Sequence, residues 1–178
     1  MRWLLYILGG LFGLIVLAVV ALLIAGARAN AGRLLYTVEV PLPPSAVWPW
    51  LTETEKLKQW IGWVDEIRPL NPEVQGVGAR ELFVMSDPNM KGKMEMEVET
   101  TVFEPPHHVT VKVGVPKGFT GSVDYLLTDL GGRTRIDYDG QFRYDHWFAR
   151  LMEPLVTPQA RKKVAEDLDR LVNLALKG

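Results

Sequence analysis

Residues 3–27 run for 25 positions without a charged side chain, with Arg2 before them and Arg28 after. A helix of that length is ~37 Å long, enough to cross the ~30 Å hydrocarbon core of a bilayer with some tilt. From residue 34 the pattern changes to alternation. Within residues 34–42, Tyr36, Val38, Val40 and Leu42 fall on one face of a strand, and Thr37 and Glu39 on the other. Pro41, Pro43 and Pro44 end it, because proline donates nothing to a ladder. Two short helices are predicted over 45–51 and 53–61, with Thr52 as cap of the second and Glu55 as its partner three residues on. Strands are predicted over 79–86, 93–103, 109–115, 122–128 and 133–144. The clearest is 93–103, where Met94, Met96, Val98, Thr100 and Val102 alternate with Glu95, Glu97, Glu99 and Thr101. Gly131 and Gly132 mark a tight turn between the last two strands. Residues 147–155 and 158–176 carry helical periodicity, interrupted by Pro154 and Pro158. A strand, two short helices, a run of strands and a long helix imply an α+β fold with an antiparallel sheet.

Two readings of the first segment compete. A secretory signal would be removed, and Ala27, Arg28 and Ala29 have the small-x-small form of a cleavage site. A cleaved signal has an apolar region of roughly 7–15 residues. This run is longer, so a retained anchor is the expectation. A core helix apolar all round and of this length is rare in a small domain. Arg2 and the amino terminus on one side nearly tie with Arg28 and Arg33 on the other, so the positive-inside rule leaves the orientation open. Trp3 and Tyr6 suit an interfacial aromatic belt. The expected organisation is an anchor over 1–28, a linker over 29–33 and one folded domain over 34–178, in a single-pass membrane protein.

Composition narrows the chemistry. The chain has 178 residues and a net charge of −1, which argues against a nucleic-acid binder held by phosphate contacts. It has no cysteine, so disulfides, thiolate metal sites and a cysteine nucleophile are excluded. His107 and His108 are neighbours at the start of a strand and should point to opposite faces, which disfavours a shared metal ion. His146 reads as a surface or capping residue. Glu95, Glu97 and Glu99, like Asp137 and Asp139, fall on the wet face, away from any cleft. No Gly-rich phosphate loop is present, and Ser45, Ser86 and Ser122 stand in no nucleophile-elbow motif. No metal or cofactor is expected, and no catalytic residue is assigned.

Three stretches resemble a known family. The first is Val38-Glu-Val-Pro-Leu-Pro-Pro-Ser-Ala-Val-Trp-Pro-Trp-Leu-Thr52, running into Leu57-Lys-Gln-Trp60. The second is Val102-Phe-Glu-Pro-Pro-His-His-Val109, and the third is Ala165-Glu-Asp-Leu-Asp-Arg-Leu171. Together they are similar to the START-related superfamily called SRPBCC, which includes the polyketide cyclase/dehydrase group. The resemblance covers residues 34–176. It implies a helix-grip fold, a curved antiparallel sheet of six to seven strands wrapped round a long C-terminal helix with a cavity between them. It also implies a hydrophobic ligand, since members bind lipids, polyketides and other apolar molecules. Some members are cyclases and some are partner-binding modules.

On that picture the apolar inner face is the expected ligand wall. It comprises Val38 and Val40 on the first strand, Met94, Met96 and Val98 on the clearest one, and Val111 and Val113 on the next. Ile136, Tyr138 and Phe142 follow on the last strand, and Leu168 comes from the long helix. Methionine suits irregular ligands because it is flexible. Tyr138, Tyr125 and Thr100 are the hydroxyls expected to orient a ligand. Glu81 is placed inward with Phe83 and Met85. Trp48, Trp50, Trp60 and Trp63 cluster near the two short helices. Trp60 and Trp63 are expected at the cavity mouth, with Phe119 exposed on a loop beside Lys117. The leading expectation is a membrane-anchored domain that binds a lipid or apolar small molecule. A cyclase or dehydratase using a tyrosine or Glu81 for proton transfer is the first alternative. A protein-interaction module with an exposed apolar patch around Trp50 and Trp63 is the second; no protein partner is named.

Overall fold

The computed structural model of the chain describes residues 2–26, 32–86, 92–116 and 118–177. Helix α1 (Arg2–Gly26) contains a stretch, Tyr6–Ile24, long and apolar enough to cross a membrane, and none of that stretch is buried. The tripeptide Ala27 to Ala29, most of the expected linker, and Lys117 lie outside the described residues. The fold then runs β1 (Arg33–Val40), α2 (Pro44–Thr52), α3 (Thr54–Trp60), β2 (Val64–Pro69), β3 (Arg80–Ser86), β4 (Lys93–Glu104), β5 (His108–Val115), β6 (Phe119–Asp129), β7 (Thr134–Tyr144) and α4 (Trp147–Ala175). The strands form one antiparallel sheet in the order β1-β7-β6-β5-β4-β3-β2. The α+β helix-grip architecture is as expected, with seven strands.

Local chemistry explains most of the elements. Pro44 opens α2 at a position whose N–H has no helical partner. The β6–β7 turn places Gly131 and Gly132 at φ +78° and +86°, a region that side chains with a Cβ avoid. Asp129 Oδ1 accepts from both of their N–H groups, at 2.9 and 3.1 Å. At the start of the sheet, the Arg33 guanidinium grips Asp139 through two bonds of 3.0 and 2.6 Å and so clips β1 to β7.

Several expectations need correction. Thr52 does not cap α3. It is the last residue of α2, and its hydroxyl donates back to the Trp48 carbonyl at 3.0 Å, leaving Glu53 at the cap position. Strand β2 is not among the predicted elements. It is a short edge strand, rich in charge (Asp65, Glu66, Arg68) and shifted in register between Val64 and Glu66, so no clean alternation marks it. In β4 a bulge between Thr100 and Val102 shifts the register by one residue. Phe103, not Val102, therefore faces inward, opposite Val109. Helix α4 is continuous through Pro154 and Pro158, although each removes one N–H from its ladder.

The solid core lies under α4. Leu168, Leu171 and Ala175 meet Val40, Val47 and Ile136, all buried. Burying such side chains stabilises by about 1.5–3 kcal/mol each. A polar clasp fixes the helix in place. The buried Asp167 carboxylate accepts from the Gly62 N–H at 3.2 Å and from Arg170 Nη1 at 2.8 Å, and Arg170 also donates to the Trp60 carbonyl at 2.6 Å. The α3–β2 corner is thereby tied to α4, and the inner face of β3 to β6 is left to other cover.

Candidate functional site

That other cover is incomplete. Between the sheet, α3 and the 69–79 segment lies a cavity of about 910 Å³. Its wall follows the period-2 rule: alternate residues of a strand share a face. In successive strands the inward rows read Glu81, Phe83 and Met85; Met94, Met96, Val98 and Thr100; Val109, Val111 and Val113; then Phe119, Val123 and Tyr125. Tyr138 and Phe142 close the far side from β7. The rim is polar, with Glu53, Thr54 and Glu55 at the start of α3 facing Asn71, Gln75 and Arg80.

Two glycines shape the far wall. Gly121 and Gly140 lie on the inner face, where a side chain would otherwise project. A β-carbon at Gly140 would meet the Tyr138 hydroxyl at 2.6 Å and the Phe142 ring at 2.9 Å. Their absence lets both aromatic side chains lie along the sheet. Phe119 stacks edge-on against Phe142, with centroids 5.9 Å apart, and Tyr125 against Tyr138 at 5.4 Å. Burial pushes the Tyr125 phenol well up, with the nearby Tyr138 and Asp167 adding to it. Burial likewise raises the Tyr138 phenol, with Asp139 and Asp167 contributing. Both phenols are therefore neutral hydrogen-bond donors at physiological pH.

At the rim, the Thr54 hydroxyl donates to Glu81 Oε1 at 2.9 Å. Glu53 and Glu55 pair with Lys56 and Lys58, at 3.0 and 2.7 Å. Arg80 pairs outward with Glu97 at 2.8 Å. Among the described residues, no three histidine or acidic side chains come together to hold a metal ion. His108 sits on the outer face, where it shares Asp124 with Thr110.

An apolar hollow in a helix-grip sheet agrees with what the family comparison finds. The model for polyketide cyclase / dehydrase and lipid transport proteins matches residues 32–175. The chain belongs to this family. Solved structures share its fold. A protein from Thermus thermophilus is 17% identical with a TM-score of 0.66, covering 82% of this chain and 97% of its own. A conserved protein from Geobacillus kaustophilus is 15% identical with a TM-score of 0.69, covering 82% and 95%. DynU16, from the dynemicin biosynthetic locus, is 17% identical with a TM-score of 0.59, covering 80% of this chain and 46% of its own. No curated protein matches the chain.

Within this family fold the expected wall residues divide. Glu81, Phe83, Met94, Met96, Val98, Thr100, Val111, Val113, Tyr125, Tyr138 and Phe142 line the cavity, as do Trp63 and Phe119. Val38, Val40, Ile136, Leu168 and Trp60 do not. Val40 and Ile136 are fully buried under α4, and Leu168 is part of the helix that covers them. Among the described residues, no α4 side chain lines the cavity, so the long helix fills one half of the interior rather than roofing the hollow. Trp60 is 3% exposed and donates its indole N–H to the Trp50 carbonyl at 2.7 Å, wedging α3 onto α2. Trp50 is buried too, which removes the apolar patch expected around it. Phe119 belongs to β6 and is half-buried, not an exposed loop residue. Sequence reasoning missed the α3 face (Leu57, Ile61) and the 69–79 segment, where no periodicity points inward. It also missed Phe103, which the bulge between Thr100 and Val102 turns inward.

Proposed function

We propose that the chain is a membrane-anchored binding protein that takes a hydrophobic small molecule or lipid into the interior cavity. The observation that carries this reading is the cavity itself. Protein interiors are close-packed, and an unfilled apolar volume costs stability. A hollow of about 910 Å³ walled by methionine, valine and aromatic side chains is of the size used for small-molecule sites. Apolar burial at about 25 cal/mol per Å² would supply most of the affinity. Family membership supports an apolar ligand. The apolar stretch of α1 supports anchoring, and anchoring would raise the local concentration of a membrane-partitioned ligand. The folded domain begins close to the site, since the Gly32 carbonyl accepts from the N–H of the wall residue Phe142 at 3.0 Å.

The test is titration of the full chain in detergent micelles with Nile red, a neutral apolar dye, against blank micelles. The expected result is saturable one-to-one binding that is lost in the double variant Thr100→Phe, Val111→Trp. Those residues pair directly across β4 and β5, and two large rings there would block the hollow. Equal binding by the blocked variant would contradict the reading.

A second reading is a cyclase-type enzyme. The paired neutral phenols favour it, because such donors polarise a carbonyl. So does the shared fold with DynU16, which comes from a biosynthetic locus. Recovery of bound carbonyl compounds chemically unchanged after long incubation would argue for binding alone.

A further inference from the structure

Resting on the reading of the cavity as a ligand site, we propose that it selects a neutral hydrophobic molecule bearing a hydrogen-bond-accepting oxygen, such as a ketone or ester carbonyl. It discriminates against an ionised carboxylate on the same apolar body. Tyr125 and Tyr138 stand directly opposite each other on β6 and β7, and both line the cavity. Tyr138 is only 6% exposed. Among the described residues, neither hydroxyl has a hydrogen-bond partner, and neither oxygen is sealed away from the cavity. An unpartnered polar group in an apolar wall costs free energy that a ligand atom can relieve. A phenol delocalises its oxygen lone pair into the ring, so it gives a hydrogen bond more readily than it takes one. Two such donors on directly paired residues suit an acceptor oxygen.

The surrounding charge decides which acceptor. Among the described residues, Arg80 is the one cationic side chain on the cavity wall, and it lies exposed at the rim, engaged with Glu97. The carboxyl side chains on the wall are Glu53, Glu55 and Glu81. Glu81 is held by a hydroxyl rather than a cation. Behind the tyrosines, Asp167 on α4 is tied up by Arg170 and Lys163, neither of which lines the cavity. A carboxylate seated at the tyrosine pair would lose its hydration and gain no counter-charge. A carbonyl surrenders far less hydration and takes the same two donors. Glu81 on β3 falls in the row of Val98, Val113 and Gly121, so Tyr125 on β6 lies three strand spacings across the sheet, ~14 Å, and four residues further along the strand, ~13 Å, with Val98, Val111 and Val123 between to hold the apolar body.

The test is displacement of Nile red from the full chain in micelles at pH 8, using compounds of matched chain length. They are pentadecane, 2-pentadecanone, methyl tetradecanoate and tetradecanoate, with micelle partitioning corrected on blanks. The ketone and the ester should bind at least ten-fold more tightly than the alkane and the carboxylate. Tyr125→Phe and Tyr138→Phe should remove the ketone's advantage over the alkane. Neither substitution strips a protein hydrogen bond, so both variants should melt as the parent does. Thr100→Lys, which sets a cation in the wall, should raise carboxylate affinity above that of the ester. Carboxylate binding as tight as the ester in the parent chain would overturn the proposal, as would a ketone preference that survives both tyrosine changes. If none of the four displaces the dye, the ligand-site reading falls and the selectivity falls with it.

Discussion

Gly121 and Gly140 occupy equivalent inward positions on neighbouring strands, yet a methyl group would meet different surroundings at each. At Gly121 a β-carbon would lie 2.5 Å from the Gln141 carbonyl oxygen, which belongs to the β6–β7 ladder and cannot move without breaking it. Gly121→Ala should therefore cost about 1–3 kcal/mol in urea denaturation. At Gly140 the obstacles are the Tyr138 hydroxyl and the Phe142 ring, side chains that border open volume and can shift into it. Gly140→Ala should cost less stability but lower ketone affinity several-fold by moving the Tyr138 hydroxyl. Equal losses of stability in the two variants would contradict this geometry. At this scale the sequence was informative where period 2 applies without interruption. Tyr125, Tyr138, Phe142, Met94, Met96 and Val98 could all be assigned to the inner face, and they line the hollow. Val40 and Ile136 obey the same alternation, but alternation says nothing about which part of an inner face a helix will cover.

The elements show where that missing information lies. The period of α4 identifies its apolar stripe, Leu168, Leu171 and Ala175, but not the strands it will lie against. That choice depends on the Asp167–Arg170–Trp60 clasp, which joins groups about 110 residues apart and leaves no local trace. The bulge at Thr100 to Val102 and the charged edge strand β2 were hidden for a related reason, since each departs from the alternation by which a strand is recognised. Because α4 fills the core half and not the hollow, stability and binding should separate. Leu171→Ala, at a fully buried position, should cost about 2–5 kcal/mol in urea denaturation. Below the unfolding transition the folded fraction should bind Nile red with unchanged affinity. A fall in affinity proportional to the stability loss would mean that helix and cavity act as one unit.

For the whole molecule, the arrangement is an apolar helix at one end, a sheet half filled by α4, and a hollow beside the filled half whose far wall adjoins the point where the chain enters β1. The family words in the sequence were enough to anticipate the helix-grip, and family membership is now shown over residues 32–175. The off-centre position of the hollow was not legible, because it is set by long-range packing. The central claim is that this hollow holds an apolar guest. Native mass spectrometry of the full chain, released from detergent in the gas phase, measures that directly. The expected spectrum holds a population carrying one bound small molecule, shed on activation and missing from the Thr100→Phe, Val111→Trp variant. Identical spectra from the parent and the blocked variant would contradict it.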